Sequence, residues 1–220
     1  MASTIQRIFL IRHATSTANL DPLVYQHTVD HVIPLARPND DPRARAAAEA
    51  MVPVRPPLDD TCVWSSTYLR CRQTEALVTA ALYGADHPRI EQRISFLLRE
   101  QEFGDWDGLT DEQIATQHPY HWDKKRRLGD QQGRFYFRFP NGESRADVVQ
   151  RVTLLLGKIH RSRYHNHIVF LHGVTQRAFR MAWFDRGPEW FEAEPNPTTA
   201  SVLSIQRDAK GEWQEEYLYR

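Results

Sequence analysis

The run Ile8-Phe9-Leu10-Ile11 is apolar at every position, branched or aromatic throughout, and ends on Arg12-His13. A strand that shows one face to water alternates apolar with polar residues. A run without alternation is covered on both faces, as in a parallel sheet lying between layers of helices. The pattern returns at Ile168-Val169-Phe170-Leu171, which ends on His172, and Thr61-Cys62-Val63-Trp64-Ser65-Ser66 is a further short buried strand. These runs predict a three-layer α/β/α sandwich with a largely parallel central sheet. Open sheets of this kind bind ligands at the carboxyl ends of their strands. If the strands carrying them are parallel neighbours, His13 and His172 emerge at the same edge.

Caps and apolar spacing supply the remaining elements. Asp41 before Pro42 is an N-cap with proline at the first helical position, and it opens a helix through residues 43–51. Thr67 reads as the cap of a second helix, with Cys71, Thr74, Leu77, Val78, Ala81 and Leu82 on its apolar face. Residues 94–98 form a third apolar stretch leading into the acidic, glycine-containing loop 99–108, and Thr110 with Gln113 makes a capping box. Ser144 starts the clearest helix, carrying Val148, Val149, Val152, Leu155, Leu156 and Ile159. A last helix covers about 174–184, and 202–206 and 213–219 alternate like edge strands. Residues 20–35 read as a loop with at most a helical turn. His27 and His31 within it have helical metal-pair spacing but lack an acidic partner, so they read as a surface pair.

At 220 residues one large domain is expected, and 28 basic side chains balance 28 acidic ones. That neutrality gives no case for nucleic acid or a membrane surface, so any anion binding is local. No leader pattern and no stretch of about 18 apolar residues is seen. Two cysteines, Cys62 and Cys71, fit reduced thiols. The expectation is a cytoplasmic protein, with a homodimer left open.

Arg70 falls in the first turn of its helix, where a cation opposes the helix dipole and calls for an anion. Arg12, at the end of an apolar strand, calls for one too. Two arginines, two histidines and an acidic loop at 100–107 suit phosphoryl transfer, with an imidazole nucleophile, guanidinium clamps and a carboxylic acid for the leaving group.

At these residues the chain resembles the histidine phosphatase superfamily, the phosphoglycerate mutase-like proteins. Arg12-His13-Ala14-Thr15-Ser16-Thr17-Ala18-Asn19 matches the hallmark Arg-His-Gly segment, with Ala14 replacing the glycine. Residues 65–74 resemble the Ser-Ser-x-x-x-Arg-Ala-x-Gln-Thr segment, and 98–108 the Leu-x-Glu-x-x-Phe-Gly-x-Trp-Glu-Gly loop. Gly142-Glu143-Ser144, His172-Gly173 and the stretch around Asn196 are similar to the remaining signatures. The resemblance covers nearly the whole chain and implies a single domain over 1–220, with an excursion over the site at about 118–139. It implies catalytic roles for His13, Glu100 and His172 and phosphate binding by Arg12, Ser16, Asn19, Arg70 and Gly173. Arg126 and Arg127, in the basic run 124–127, are candidate substrate-binding residues.

Rival phosphatase patterns fail: neither Cys62 nor Cys71 is followed by arginine at the spacing of a cysteine phosphatase, and no Walker loop is present. The activity that the resemblance implies is hydrolysis of phosphomonoesters through a phosphohistidine, with a small phosphorylated substrate as the partner and no metal or cofactor. The alternatives are a cofactor-dependent phosphoglycerate mutase and a catalytically silent phosphate-binding protein.

Overall fold

The computed structural model describes residues 5–85, 90–131 and 133–220; residues 1–4, read above for a leader, lie outside them. The chain runs β1 (Arg7–Arg12), α1 (Thr17–Leu20), α2 (Pro42–Met51), β2 (Thr61–Ser66), α3 (Leu69–Tyr83), β3 (Glu91–Ser95), α4 (Asp111–Gln117) and α5 (Pro119–Gln131). It continues with α6 (Arg145–His160), β4 (Asn166–Leu171), α7 (Gly173–Trp183), α8 (Pro188–Ala193), β5 (Val202–Arg207) and β6 (Trp213–Tyr219).

One six-stranded sheet has the order β3-β2-β4-β1-β5-β6. The first four strands are mutually parallel, and β5 and β6 close the sheet in antiparallel fashion. The unbroken apolar runs are explained by the layers on either side. Along β1, Ile8 and Leu10 pack into one cluster with α6 and α7, whereas Phe9 and Ile11 pack into another with α2 and α3. Along β4, Val169 and Leu171 face the first cluster and Ile168 and Phe170 the second. Each such side chain removed from water contributes roughly 1.5–3 kcal/mol, so a polar residue on either face would lose that and leave its own group unpaired. Three layers follow from this alternation.

Three sequence expectations are corrected, and the apolar stretch 94–98 is resolved into elements. The helix after β2 is capped by Tyr68 and not by Thr67, which is exposed; the backbone N–H of Tyr68 donates to Ser66 Oγ at 3.3 Å. The apolar stretch 94–98 is divided between the end of β3 and a 3-10 turn. β3 pairs only with β2, so Ile94 is 56% exposed, and a 3-10 turn at Phe96–Leu98 is what buries Leu97 and Leu98. β5 is not an edge strand, because β6 lies outside it. Segment 20–35 holds α1's last residue and two 3-10 turns, Pro22–Gln26 and Asp30–Val32, the second of which delivers Asp30 to the site. The other caps fall where the sequence puts them: Asp41 accepts from the N–H groups of Arg43 and Ala44, and Ser144 shares a capping box with Asp147.

Candidate active site

β1 and β4 are adjacent and in register, Arg12 opposite Leu171, so the residues that follow, His13 and His172, meet at the sheet's carboxyl edge. Their ring centroids are 5.2 Å apart, edge to face. The backbone fixes this: His13 N–H donates to Leu171 O at 3.0 Å, and Ala200 N–H donates to His13 O at 3.1 Å. Ala14 does not occupy the left-handed region; it is fully buried and its N–H donates to Thr74 Oγ1 at 2.9 Å. Thr74 Oγ1 in turn donates to Arg70 O at 2.7 Å, tying the His13 loop to the first turn of α3.

His13 Nδ1 lies 2.7 Å from Ala14 O. A carbonyl only accepts, so Nδ1 carries the proton and Nε2 is left with its lone pair. Burial, followed by the charges of Arg70 and Arg12, holds the His13 pKa well below its ordinary value, so the ring is neutral at physiological pH. His172 is lowered too, by burial, then Arg70 and His13. Its Nε2 sits 3.0 Å from Ser66 Oγ, and Tyr68 packs edge-on against it at 4.9 Å. Cys71, 3.4 Å from His172 Nε2, has its thiol pushed up by burial and stays protonated.

Both arginines reach the same place. Arg12 donates Nη1 to Pro197 O, and burial lowers its pKa. Its Nε is buried without a partner, as is Arg70 Nε. Two buried guanidinium donors without partners beside a neutral imidazole are chemically suited to receive an anion. Arg70 is also held by Asp30, through Oδ1 at 2.6 Å, Oδ2 at 3.3 Å and the backbone carbonyl at 2.8 Å. Burial opposes the Arg70 charge, and the Asp30 carboxylate offsets it and raises the pKa.

Glu100 arrives from the loop after β3 and rests on the start of α7. Its carboxylate accepts from the N–H groups of Gln101 (3.0 Å), Val174 (3.2 Å) and Thr175 (3.3 Å) and from Thr175 Oγ1 (3.3 Å). Helix amino termini favour such a charge. The loop is braced by Arg151 of α6, which donates to Leu97 O at 2.7 Å and Glu100 O at 3.0 Å while pairing with Glu143 at 2.9 Å. Gly104, at φ +58°, lies so close to Pro140 that a Cβ would come 2.0 Å from its carbonyl oxygen, which seals the loop to residues 140–143.

The remaining expected residues divide. Gly173 belongs to the site by close approach: a Cβ there would lie 3.1 Å from Asn196 Oδ1 and 3.7 Å from Arg12 Cζ. Ser16 and Asn19 are engaged with each other, Ser16 N–H and Oγ each donating to Asn19 Oδ1 at 3.0 Å, as the cap of α1. Arg126 and Arg127 are exposed on α5, and Arg126 lines a pocket with Asp111 and Arg134. The cation of that run facing Glu100 is Lys125, which lines a cavity of about 460 Å³ with Glu100, Asp30, Tyr25, Trp106 and Phe139. Lys125 Nζ lies 5.1 Å from the Trp106 ring centroid and 5.5 Å from that of Trp122.

Sequence reasoning missed Asp30, Arg151 and the bracing role of Glu143. Arg151 had a signal: it stands three residues after Val148, on the face that Val152 and Leu155 bury. Asp30 had none.

A family model for the histidine phosphatase superfamily (branch 1) matches residues 8–218. A phosphoglycerate mutase-like protein of Arabidopsis thaliana is 30% identical over 223 residues, 94% of this chain and 67% of its own length. A broad-range acid phosphatase of Saccharomyces cerevisiae is 33% identical over 132 residues, 56% of this chain and 34% of its own. Among solved structures, a mycobacterial glucosyl-3-phosphoglycerate phosphatase superposes with a TM-score of 0.70 at 22% identity, covering 96% of this chain and 98% of the other. The edge where β1 and β4 end is thus shared with these proteins as a fold, and the chain belongs to the histidine phosphatase superfamily, branch 1.

Proposed function

We propose that this chain hydrolyses small phosphomonoesters through a phosphohistidine on His13. The observation that carries the reading is the His13 ring: neutral, with Nδ1 committed to Ala14 O, it offers a lone pair on Nε2 beside two buried arginines with unpartnered Nε groups. In the first step Nε2 forms a bond to phosphorus as the ester P–O bond breaks, and the carboxyl of Glu100 gives its proton to the departing alkoxide. In the second, the Glu100 carboxylate takes a proton from water as the water oxygen attacks phosphorus and the N–P bond breaks, releasing phosphate and restoring both groups. Arg12, Arg70 and His172 neutralise and orient the equatorial oxygens. The scheme routes no step through a metal.

Among the acids near the site, we assign the acid role to Glu100, which lines the larger cavity and rests against the start of α7. Glu102 is spent on Arg99 at 2.8 Å. Asp107, raised by burial and then by Asp30, lines the same cavity and is the runner-up. The likeness to an acid phosphatase supports hydrolysis, while the plant relative keeps the mutase as the rival. Incubation with 3-phosphoglycerate, with and without 2,3-bisphosphoglycerate, separates them. Release of inorganic phosphate independent of the bisphosphate is expected. Bisphosphate-dependent formation of 2-phosphoglycerate without phosphate release would overturn the reading.

A further inference from the structure

The end of the sheet away from His13 holds a separate cavity of about 430 Å³ whose wall carries Arg7, Arg55 and Arg207, the amides Gln6, Asn166 and Gln206, and no Asp or Glu. Sheet register gathers these groups. Arg7 opens β1 opposite Asn166 of β4 and Gln206 of β5, and because β5 runs antiparallel to β1 its last residue, Arg207, arrives at the same end. Arg55 follows the 3-10 turn Val52–Val54 beyond α2. Three segments far apart in sequence thus bring one guanidinium each.

Among the described residues none of the three forms an ion pair. Each spends Nη1 on a backbone carbonyl: Arg7 on Val54 O at 3.2 Å, Arg55 on Leu82 O at 2.8 Å and Arg207 on Gly211 O at 2.5 Å. A carbonyl holds a guanidinium in place without neutralising it. Asp60 and Asp208 stand close by in sequence and are engaged elsewhere. Asp60 accepts from His165 N–H at 3.1 Å and lies 2.7 Å from His165 Nδ1, and Asp208 accepts from the N–H groups of Lys210 at 2.8 Å and Glu212 at 3.0 Å. Arg7 is partly buried over the Phe9 ring, 5.7 Å from its centroid, and burial lowers its pKa, as expected of a cation that lacks a counter-ion. Like charges assembled around a concavity favour an anion by the same Coulomb terms that make them repel one another.

We infer that this cavity binds a chain of two or three linked phosphates, carried by a nucleotide or free in solution, at a site separate from the phosphoryl-transfer centre. A single phosphate group carries about −1.5 to −2 at pH 7, less than three guanidinium groups balance, so a linked chain matches the charge better. Arg7 and Arg12 begin and end β1, five residue steps or about 17 Å apart, so an anion at Arg7 does not overlap one held by Arg12. The inference stands independently of the phosphatase reading.

Calorimetric titration of the full chain with tripolyphosphate, and separately with ATP, both without divalent cations, tests it. Arg12 and Arg70 can also take phosphate, so the quantity read is the change on substitution at the far end of the sheet. Arg55 and Arg207 are exposed, and a double variant Arg55→Ala with Arg207→Ala that melts like the parent is expected to weaken one binding event at least about tenfold, the size of a charged hydrogen bond lost. Arg7→Gln should weaken the same event, and any event at Arg12 and Arg70 should keep its affinity in both variants. ATP binding more tightly than tripolyphosphate at this event upholds the site with a nucleotide as its ligand; equal affinity upholds it with the phosphate chain alone. The control is Lys158→Ala with Arg161→Ala, which removes two exposed cations elsewhere and should change nothing. Binding unmoved in the Arg55 and Arg207 double variant overturns the inference, and so does an equal loss in the control, which would make net charge the cause.

Discussion

The sheet edge and the cover above it are built by different means. At the edge, His13 is fixed by its backbone hydrogen bonds to Leu171 and Ala200, and Ala14 by Thr74, so the place of the proposed nucleophile is set by strand register. In the cover, Asp30 reaches Arg70 by its carboxylate and its backbone carbonyl, and Lys125 and the aromatic residues of 103–139 reach the site by side chains, from helices and 3-10 turns. Register cannot slip by one residue without turning every side chain to the other face, whereas side-chain contacts can be exchanged one at a time. On the proposed function, the edge supplies the nucleophile and the cover walls the cavity in which the rest of the substrate would lie.

The largest effect that sharpens this contrast belongs to Glu100. Glu100→Gln should slow alkyl phosphates by about 10²–10⁴-fold and aryl phosphates, whose leaving groups need little protonation, far less. Equal losses on both classes, measured as kcat, would move Glu100 from proton transfer to binding.

Next comes the brace beneath it. Arg151 is buried among three acceptors, so Arg151→Met should cost about 3 kcal/mol in urea unfolding and lower kcat on alkyl esters through a displaced Glu100 loop. A variant as stable as the parent would show that Arg151 is not what holds the loop.

The buried histidines give a stability profile. Burial lowers His13 and His172 well below 6.5 and takes His167 to about 4. With folded pKa values below the unfolded one, the unfolded chain binds more protons under pH 6.5. Their contribution is whole above pH 6.5 and is lost as pH falls towards the folded values. Unfolding free energy should drop between pH 6.5 and 4, and His167→Gln should make that drop shallower; an identical slope in the variant would contradict the assignment.

The smallest effect tests the cover itself. Asp30 occupies Arg70 through both carboxylate oxygens, so a substrate phosphate must share or displace it. Asp30→Asn should tighten competitive inhibition by inorganic phosphate several-fold while kcat changes little. Weaker inhibition would mean that Asp30 positions Arg70 for the anion and does not compete with it.

The same contrast explains what could be read from the chain. His13 and His172 were legible because each ends an apolar run whose lack of alternation demands cover on both faces. Arg70 was legible as a first-turn cation even though Tyr68, and not Thr67, caps its helix. Asp30 was not, because it meets Arg70 across 40 residues from a segment without periodicity. In the basic run, Lys125 and Arg126 stand three and four residues after Trp122, so helical spacing does not choose between them; Lys125 lies over the Trp122 ring, whereas Arg126 and Arg127 are exposed. Where such a helix points is fixed by packing of Trp106, Phe137 and Phe139, and composition does not reveal it.

The central claim, that His13 Nε2 takes the phosphoryl group, is tested most directly by rapid acid-free quenching during turnover of a phosphorus-labelled ester, followed by peptide mapping. The account predicts a base-stable, acid-labile phosphoryl group on the peptide containing His13, absent from His13→Ala. Label on any other residue, or unchanged labelling and turnover in His13→Ala, would contradict it.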